Sequence, residues 1–217
     1  MPKREPEFRN ASTSRMRQIH RWLDMAQDSY GETVPADLLA ATKSGVLGSC
    51  FSSSEIKPHL SKWSRWLEDG RKLDVLFSRS EVRFLVSGKT EIGAYLTGPS
   101  TPVMQVLYRE GSTPFFQGLW GLTKLHALSI APGYRNEGHG GRMLENAVNR
   151  AARSGFLLMY GSFDAVQRPQ LAGFYERHGF NVLDEGSPLP LTQFTASGIP
   201  GLPPGVGERY FVRDLTA

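Results

Sequence analysis

The sequence predicts an α/β fold whose central sheet is mixed, mostly antiparallel and flanked by helices. Three observations lead to this prediction. Residues 125–160 read as strand, glycine-rich turn, helix and strand, an order that makes the two strands parallel neighbours. Residues 73–97 contain three short stretches rich in β-forming residues, which predicts a meander. Residues 15–70 carry apolar side chains at helical spacing, so this part is predicted to be helical.

The length of 217 residues allows one sizeable core. Residues 1–14 are polar and charged without periodicity, and they are predicted to form a mobile tail. Residues 15–217 are predicted to form a single domain with a helical N-terminal part at 15–70. In that part Ser14 is the predicted cap of a helix that ends near residues 30–31, and two more helices are predicted at 35–42 and 55–68.

The remaining elements follow from the change of hydrophobic period along the chain. Strands are predicted at 73–77, 82–86, 92–97, 125–130, 156–160, 180–183 and 209–212. A helix is predicted at 169–178, and residues 105–108 are read as an edge strand or part of a loop. The segment 111–121 is predicted to be a loop rich in aromatic residues, and 186–207 is predicted to be a long connection rich in proline and glycine.

Composition excludes several classes of protein. Charged residues make up 21% of the chain, and no apolar run approaches the roughly 20 residues of a membrane helix, so no membrane association is expected. The charged N-terminus lacks the apolar region of a signal peptide, which predicts a cytoplasmic protein. Cys50 is the single cysteine, and no Cys/His cluster has zinc-ligand spacing, so no metal site is predicted. The net charge of +4 comes from scattered residues, which permits nucleic-acid binding without favouring it.

The stretch 125–142 contains the residues that predict a ligand-binding site. A buried strand is stopped at Pro132, a glycine-rich turn follows to Gly141, and then apolar residues from Met143 onward have the spacing of a helix. The first N–H groups of a helix lack intrahelical acceptors and favour an anion, and glycines let a phosphate approach the backbone. Arg135 and Arg142 add charge-assisted donors, so a diphosphate is the predicted guest. The glycines match neither the dinucleotide fingerprint nor the nucleoside triphosphate loop.

The pattern Arg135-x-x-Gly138-x-Gly140 resembles the acetyl-CoA signature of the GNAT N-acetyltransferases, and residues 174–180 resemble their second signature, a helix carrying a tyrosine and ending in Gly-Phe. This resemblance implies the GNAT fold, with the parallel strand pair splayed at the cofactor site, and acetyl-CoA as cofactor. It implies the following cofactor-binding residues: Leu128, Ser129, Ile130, Arg135, Asn136, Glu137, Gly138, His139, Gly140, Gly141, Arg142 and Arg168. At Arg168 the family often has asparagine instead.

Two residues are predicted to be catalytic. His126 is the candidate general base, because imidazole titrates near neutral pH and the residue lies on the strand that enters the turn. The residues around it resemble the arylalkylamine N-acetyltransferases, which have a second histidine where this chain has Lys124. Tyr175 is the candidate general acid, since the family places a tyrosine there beside the CoA sulfur. Glu110, Asp164 and Glu137 are the alternative bases.

The sequence therefore predicts an enzyme that transfers the acetyl group of acetyl-CoA to a primary amine in a ternary complex. A small-molecule amine is preferred, because aromatic residues at 115–120 could line its site. Two alternatives stay open: an acetyltransferase that acts on a protein or aminoacyl-tRNA amine, and a non-catalytic CoA-binding module. A homodimer and a longer acyl donor also stay open.

Overall fold

The computed structural model describes residues 5–26, 34–53, 55–194 and 201–216. The chain divides into two compact units. The first unit contains residues 1–98 and 125–150, and the second contains residues 99–124 and 151–217. Three parts of the predictions lie outside the described residues: positions 1–4 of the tail, the helix end at 30–31 and positions 195–200 of the long connection.

Within the described residues, the strands are β1 (Glu7–Asn10), β2 (Glu81–Ser87), β3 (Thr90–Gly98), β4 (Leu122–Ile130), β5 (Leu158–Asp164), β6 (Asn181–Val182) and β7 (Glu208–Asp214). The α-helices of the same residues are α1 (Thr13–Met16), α2 (Ile19–Ala26), α3 (Val34–Lys43), α4 (Lys57–Glu68), α5 (Lys72–Ser78), α6 (Thr101–Arg109), α7 (Ser112–Gly121), α8 (His139–Arg153) and α9 (Gln170–Arg177). Strand β4 and helix α8 each contribute residues to both units.

The first unit has the strand order β1-β2-β3-β4. Strand β2 pairs antiparallel with both β1 and β3. The turn between β2 and β3 places Gly88 at a φ of 61°, a left-handed conformation that glycine adopts without steric cost. This hairpin confirms the strands predicted at 82–86 and 92–97.

The core of the first unit lies between the N-terminal helices and one face of its sheet. Trp22 and Leu23 of α2 are each 2% exposed, and they belong to the same apolar cluster as Phe84 of β2 and Ala127 of β4. The apolar stripe of α1 and α2 therefore has a sheet to pack against, as the helical spacing of its residues requires.

The N-terminal segment differs from the predicted tail. Glu7–Asn10 form strand β1, which pairs with residues 83–86 of β2. Three polar residues and a single apolar one, Phe8, are too short a stretch to give a periodic signal, so the pairing could not be predicted from them. The helix cap is Ser12 rather than Ser14, because the N–H of Arg15 donates to Ser12 Oγ at 3.4 Å.

The second unit has the strand order β4-β5-β7-β6. Strands β4 and β5 are parallel, and their paired residues are Leu122 with Leu158, Thr123 with Met159 and Lys124 with Tyr160. Strand β7 pairs antiparallel with β5 and with β6. One parallel pair among antiparallel strands is the predicted mixed sheet, and the fold class is confirmed.

Three segments predicted as strand or loop are helices. Residues 73–77 lie in α5, residues 105–108 lie in α6 and most of the aromatic segment lies in α7. A short apolar run does not distinguish a strand from a buried helix, which explains the first error. The buried residues of α6 and α7 do have helical spacing: Val103, Met104 and Leu107 in α6, and Phe115, Gly118 and Leu119 in α7. The two prolines and four aromatic residues of this region are typical of loops and concealed that spacing.

Two features are absent from the described residues. No helix there is both long and apolar enough to cross a membrane. No group of three or more His, Cys, Asp or Glu side chains there is arranged to hold a metal ion.

Candidate functional site

The glycine-rich turn joins the end of β4 to the start of α8. Beyond Ile130 the N–H of Ala131 donates to the carbonyl of Ile92 at 2.9 Å, and a short 3₁₀ turn follows at Pro132–Tyr134. The N–H of Arg142 donates to the carbonyl of Gly138 at 3.1 Å, which closes the first turn of α8. The predicted order of strand, glycine turn and helix is therefore present.

Two residues of this turn have left-handed backbone conformations. Asn136 has a φ of 64° and Gly138 has a φ of 79°. Asparagine and glycine are the residues that adopt this conformation most readily. A Cβ built on Gly138 would have no protein atom within 4 Å, so the glycine serves the backbone conformation and leaves the peptide open to an approaching ligand.

The start of α8 presents donors that no residue of the helix can satisfy. The N–H groups of His139, Gly140 and Gly141 precede the first helical bond, and the helix dipole adds partial positive charge there. The turn before it, residues 135–138, is exposed to solvent. An anion of diphosphate size thus finds both backbone donors and space at this position.

The charged residues of the turn already have protein partners. Arg135 donates from Nε to the carbonyl of Ile130 at 3.1 Å, which fixes the side chain over the end of β4. Glu137 lies 3.4 Å from His139 Nε2. Arg142 forms an ion pair with Glu5 at 3.3 Å, and its guanidinium lies 5.5 Å from the ring of Phe8. The N-terminal segment therefore contacts one of the two arginines predicted to bind phosphate.

Strand β4 has two faces with different surroundings. Leu125, Ala127 and Ser129 are buried, and the Ser129 hydroxyl donates to the carbonyl of Trp22 at 2.7 Å. His126 and Leu128 alternate with them, so they lie on the opposite face, where they are half-buried. Because the Ser129 side chain is committed to the core, its predicted cofactor contact is restricted to its main chain.

The parallel pairing of β4 with β5 involves only the first three residues of β4. Leu128, Ser129 and Ile130 lie beyond that pairing. Their backbone is consequently in the part of β4 where the GNAT resemblance predicts that the cofactor pairs with the strand.

His126 has a defined hydrogen bond on one ring nitrogen. Its Nε2 lies 3.2 Å from the carbonyl oxygen of Gly98. A carbonyl only accepts, so a neutral His126 in this bond carries its proton on Nε2 and has its lone pair on Nδ1. Nδ1 is therefore the atom that could take a proton.

Tyr175 lies in an aromatic cluster of the second unit. Its ring stacks on Phe211 with centroids 3.6 Å apart and 14° between the ring planes. Phe163 and Phe180 each lie with their ring centroids 5.9 Å from it. The residue is 9% exposed, so the cluster holds the ring in one orientation.

Arg168 and Asp164 lie between β5 and α9, in the same unit as Tyr175. The Asp164 carboxylate accepts the N–H groups of Val166 and Gln167 at 2.9 and 2.8 Å, and its carbonyl accepts the N–H of Arg168. Asp164 thus stabilises the turn that presents half-buried Arg168.

The structure gathers most predicted residues in the first unit: His126, residues 128–130 and residues 135–142. Tyr175 and Arg168 belong to the second unit. Sequence reasoning missed the contact of Glu5 with Arg142, since a single glutamate 137 positions away from its partner produces no pattern.

The comparisons with known proteins agree with this fold. Residues 104–182 match the model of the acetyltransferase (GNAT) domain. No curated protein matches the sequence. Among solved structures, a GNAT-family acetyltransferase from Staphylococcus aureus Mu50 is 12% identical, with a TM-score of 0.51, and the match covers 98% of this chain and 100% of that one.

Two further solved structures are similar over nearly their whole length. The ribosomal-protein-S18-alanine N-acetyltransferase of Escherichia coli is 12% identical with a TM-score of 0.51, and the match covers 98% of this chain and 95% of that one. The PaiA N-acetyltransferase of Thermoplasma acidophilum, solved in complex with coenzyme A, is 12% identical with a TM-score of 0.50. The match covers 97% of this chain and 99% of that one. Residues 104–182 thus match a GNAT acetyltransferase domain, and the solved structures share the fold of the chain.

Proposed function

We propose that this protein transfers the acetyl group of acetyl-CoA to the primary amine of a small molecule within a ternary complex. The observation that supports the proposal is the exposed turn at residues 135–138, which leads from β4 into the start of α8, where the first N–H groups have no acceptor within the helix. The structure of the Thermoplasma relative contains coenzyme A, and the same cofactor suits the donors of this turn.

The residues around the turn fit a diphosphate. Gly138 leaves open space where a side chain would stand, and the α8 N-terminus supplies N–H donors and partial positive charge. Arg135 is held beside the turn by its bond to the Ile130 carbonyl, and Arg142 lies one helical turn after Gly138. We assign both arginines to the cofactor phosphates, and we assign the main chain of residues 128–130 to the pantetheine arm.

His126 is the proposed general base. Acetyl-CoA supplies a thioester when it is bound, and only an amine without its proton can attack it. An alkylamine such as that of lysine has a pKa near 10.4, so a group must take its proton at neutral pH. With Nε2 bonded to Gly98, the acceptor atom on His126 is Nδ1.

Tyr175 is the proposed general acid. Its phenolic O–H would protonate the thiolate that is displaced when the amine attacks the thioester. The stack on Phe211 fixes the ring, which meets the requirement that a catalytic group keep one position.

The acceptor is proposed to contact the aromatic residues of α6 and α7. Phe115 is 5% exposed and packs edge to face with Tyr108 and Phe116, so it belongs to the helix pair itself. Tyr108 is 51% exposed, and Phe116 and Trp120 are half-buried. These three rings have surface left for an apolar or aromatic amine.

A macromolecular acceptor is the alternative, supported by the net charge of +4 and by the arginines of the N-terminal helices. A gel shift with tRNA separates the two proposals. A complex that dissociates as salt rises favours the macromolecular acceptor, because phosphate contacts release counterions.

The proposed activity is tested by measuring thiol release from acetyl-CoA with wild-type protein and a panel of small amines, antibiotics, peptides and aminoacyl-tRNA. Acetylation of one or more small amines is expected, with free CoA and acetylated product in equal amounts. Release with peptides or aminoacyl-tRNA alone would contradict the small-molecule acceptor. CoA binding without release for any amine would contradict catalysis and favour a CoA-binding module.

A further inference from the structure

A cavity of about 280 Å³ lies in the first unit, apart from the glycine-rich turn. Its apolar wall includes Leu47 and Phe51, and its polar wall includes Asn10, Ser52, Glu81 and Arg150. Arg150 and Gly140 are ten residues apart on α8, a separation of roughly 15 Å along the helix axis. The cavity is therefore distinct from the proposed diphosphate site, and it has no part in the function proposed above.

Arg150 is held in the cavity wall by one edge of its guanidinium. Its Nε lies 2.8 and 2.7 Å from the two carboxylate oxygens of Glu81, and its Nη2 also contacts Glu81. A guanidinium has five N–H donors in a planar fork, so this pairing occupies its side edge. The other edge of the guanidinium, its end edge, consists of Nη1 and the second N–H of Nη2. In the described part of the chain, no acceptor contacts Nη1.

The orientation of this fork is fixed by further bonds. Glu81 is 9% exposed and accepts the hydroxyl of Tyr95 at 3.2 Å, and Tyr95 in turn donates to Asn146 of α8 at 2.9 Å. The Arg150 guanidinium carbon also lies 5.9 Å from the ring of Phe51. Because Glu81 holds the guanidinium, a ligand that binds the remaining donors of Arg150 has a smaller entropic cost of ordering the side chain.

The charge around the cavity favours an anion. Arg83 donates to the carboxamide oxygen of Asn10, so a second guanidinium lies beside the polar wall. Within the lining the charges of Arg150 and Glu81 balance, and the Arg83 guanidinium behind Asn10 adds one positive charge next to the cavity. Since the Asn10 oxygen faces Arg83, its NH₂ group is a further donor.

We propose that this cavity is a binding site for a small carboxylate with an apolar body. The carboxylate would bind the end edge of Arg150 in the bidentate geometry that matches the fork. The apolar body would contact Leu47 and Phe51. A volume of about 280 Å³ has room for a ligand of roughly the size of benzoate.

The test uses benzoate as the probe and benzamide as its uncharged analogue, with binding measured by ligand-observed NMR titration of the full chain. Benzoate is expected to bind wild-type protein in the millimolar range or tighter, and benzamide about tenfold more weakly, a difference of roughly 1.4 kcal/mol. Saturating CoA should leave the benzoate affinity unchanged. Displacement of benzoate by CoA would place it in the cofactor site and overturn the proposal.

Two variants test the site itself. Arg150→Lys keeps the charge and the ion pair with Glu81 but removes the fork, and Ala11→Leu narrows the cavity without touching the charges. Each should weaken benzoate binding at least about tenfold while thermal melts show a folded protein. Arg153→Lys, on the same helix and outside the cavity wall, is the matched control and should bind as wild type. Absence of benzoate binding to wild type, or equal affinities in all four proteins, would refute the carboxylate site.

Discussion

Tyr175 stacks on Phe211 with ring centroids 3.6 Å apart, and Gly161 of β5 provides the space for the Phe211 ring. A Cβ at position 161 would lie 2.8 Å from two carbons of that ring. A strand residue without a side chain thus determines where Phe211 lies, and Phe211 determines where the Tyr175 ring lies. The proposed general acid is positioned by a neighbour that sequence patterns did not indicate.

Tyr175→Phe should separate chemistry from binding. The stack on Phe211 needs only the ring, so the folded structure and the affinity for CoA should be retained. If the hydroxyl is the general acid, kcat for thiol release should fall by about 100-fold. Tyr210→Phe, which removes a buried hydroxyl bonded to the Pro203 carbonyl in the same unit, is the control and should keep near wild-type kcat. Equal kcat in Tyr175→Phe and wild type would leave Tyr175 with a packing role alone.

Gly161→Ala should displace the stack. The added methyl group overlaps the Phe211 ring, and overpacking of a core typically costs about 1 to 3 kcal/mol. We expect a lower midpoint of chemical denaturation together with a reduced kcat, because Tyr175 moves with Phe211. A variant with wild-type kcat and reduced stability would show that the position of Phe211 does not influence catalysis.

Glu5→Gln should strengthen CoA binding. Glu5 pairs with Arg142 while 83% of its side chain is exposed, and such a pair contributes less than about 1 kcal/mol. A phosphate that takes Arg142 has to displace this carboxylate. The dissociation constant for CoA should therefore fall by about two- to fivefold at low salt, with a smaller change at high salt. Glu7→Gln, whose carboxylate pairs with Arg9 instead, should have no effect. Weaker CoA binding in Glu5→Gln would contradict competition for Arg142.

His59 should make stability depend on pH. Burial, and then the positive charges of Lys62 and Arg79, lower the pKa of His59 below 6.5. As the pH falls below about 6.5, the unfolded chain takes up this proton before the folded protein does, which favours unfolding. The contribution to stability is thus present above pH 6.5 and is lost below it.

Thermal melts at pH 7.5 and 5.5 check this prediction. The melting temperature of wild type should fall more between these two values than that of His59→Gln, which has no titrating group at this position. His20→Gln, at an exposed position of α2, is the control and should follow the wild-type curve. Parallel curves for wild type and His59→Gln would contradict the lowered pKa.

The elements that were predicted correctly are those that local sequence patterns determine. The strand, turn and helix around Gly138 could be predicted because strand period, glycine conformation and helix spacing all act within about twenty residues. The same holds for the hairpin of β2 and β3 and for the mixed sheet. The helices α6 and α7 were missed because proline and aromatic residues are typical of loops, and only packing shows that their apolar residues share a helix face.

Contacts between distant residues could not be predicted. Glu81 and Arg150 are 69 positions apart, and neither belongs to a motif, so their cavity appears only in the folded chain. The hydroxyl of Ser129 donates to the carbonyl of Trp22, 107 positions away, which no motif indicates, and the cofactor contact of Ser129 stays a prediction. The assignment of 15–217 as one domain stays a prediction, as do the roles of His126 and Tyr175.

Calorimetric titration of CoA into three proteins tests the central claim most directly. Gly138→Ala forces a side chain into a left-handed conformation at a φ of 79°, which costs about 1 kcal/mol or more, and places a methyl group where the diphosphate is proposed to bind. Gly133→Ala, in the same exposed turn region and with equally open space around its Cβ, is the matched control. We expect binding of CoA to wild type and Gly133→Ala with similar affinity, and binding at least about tenfold weaker to Gly138→Ala. Absence of binding to wild type, or one affinity for all three proteins, would contradict the claim that this turn holds the cofactor.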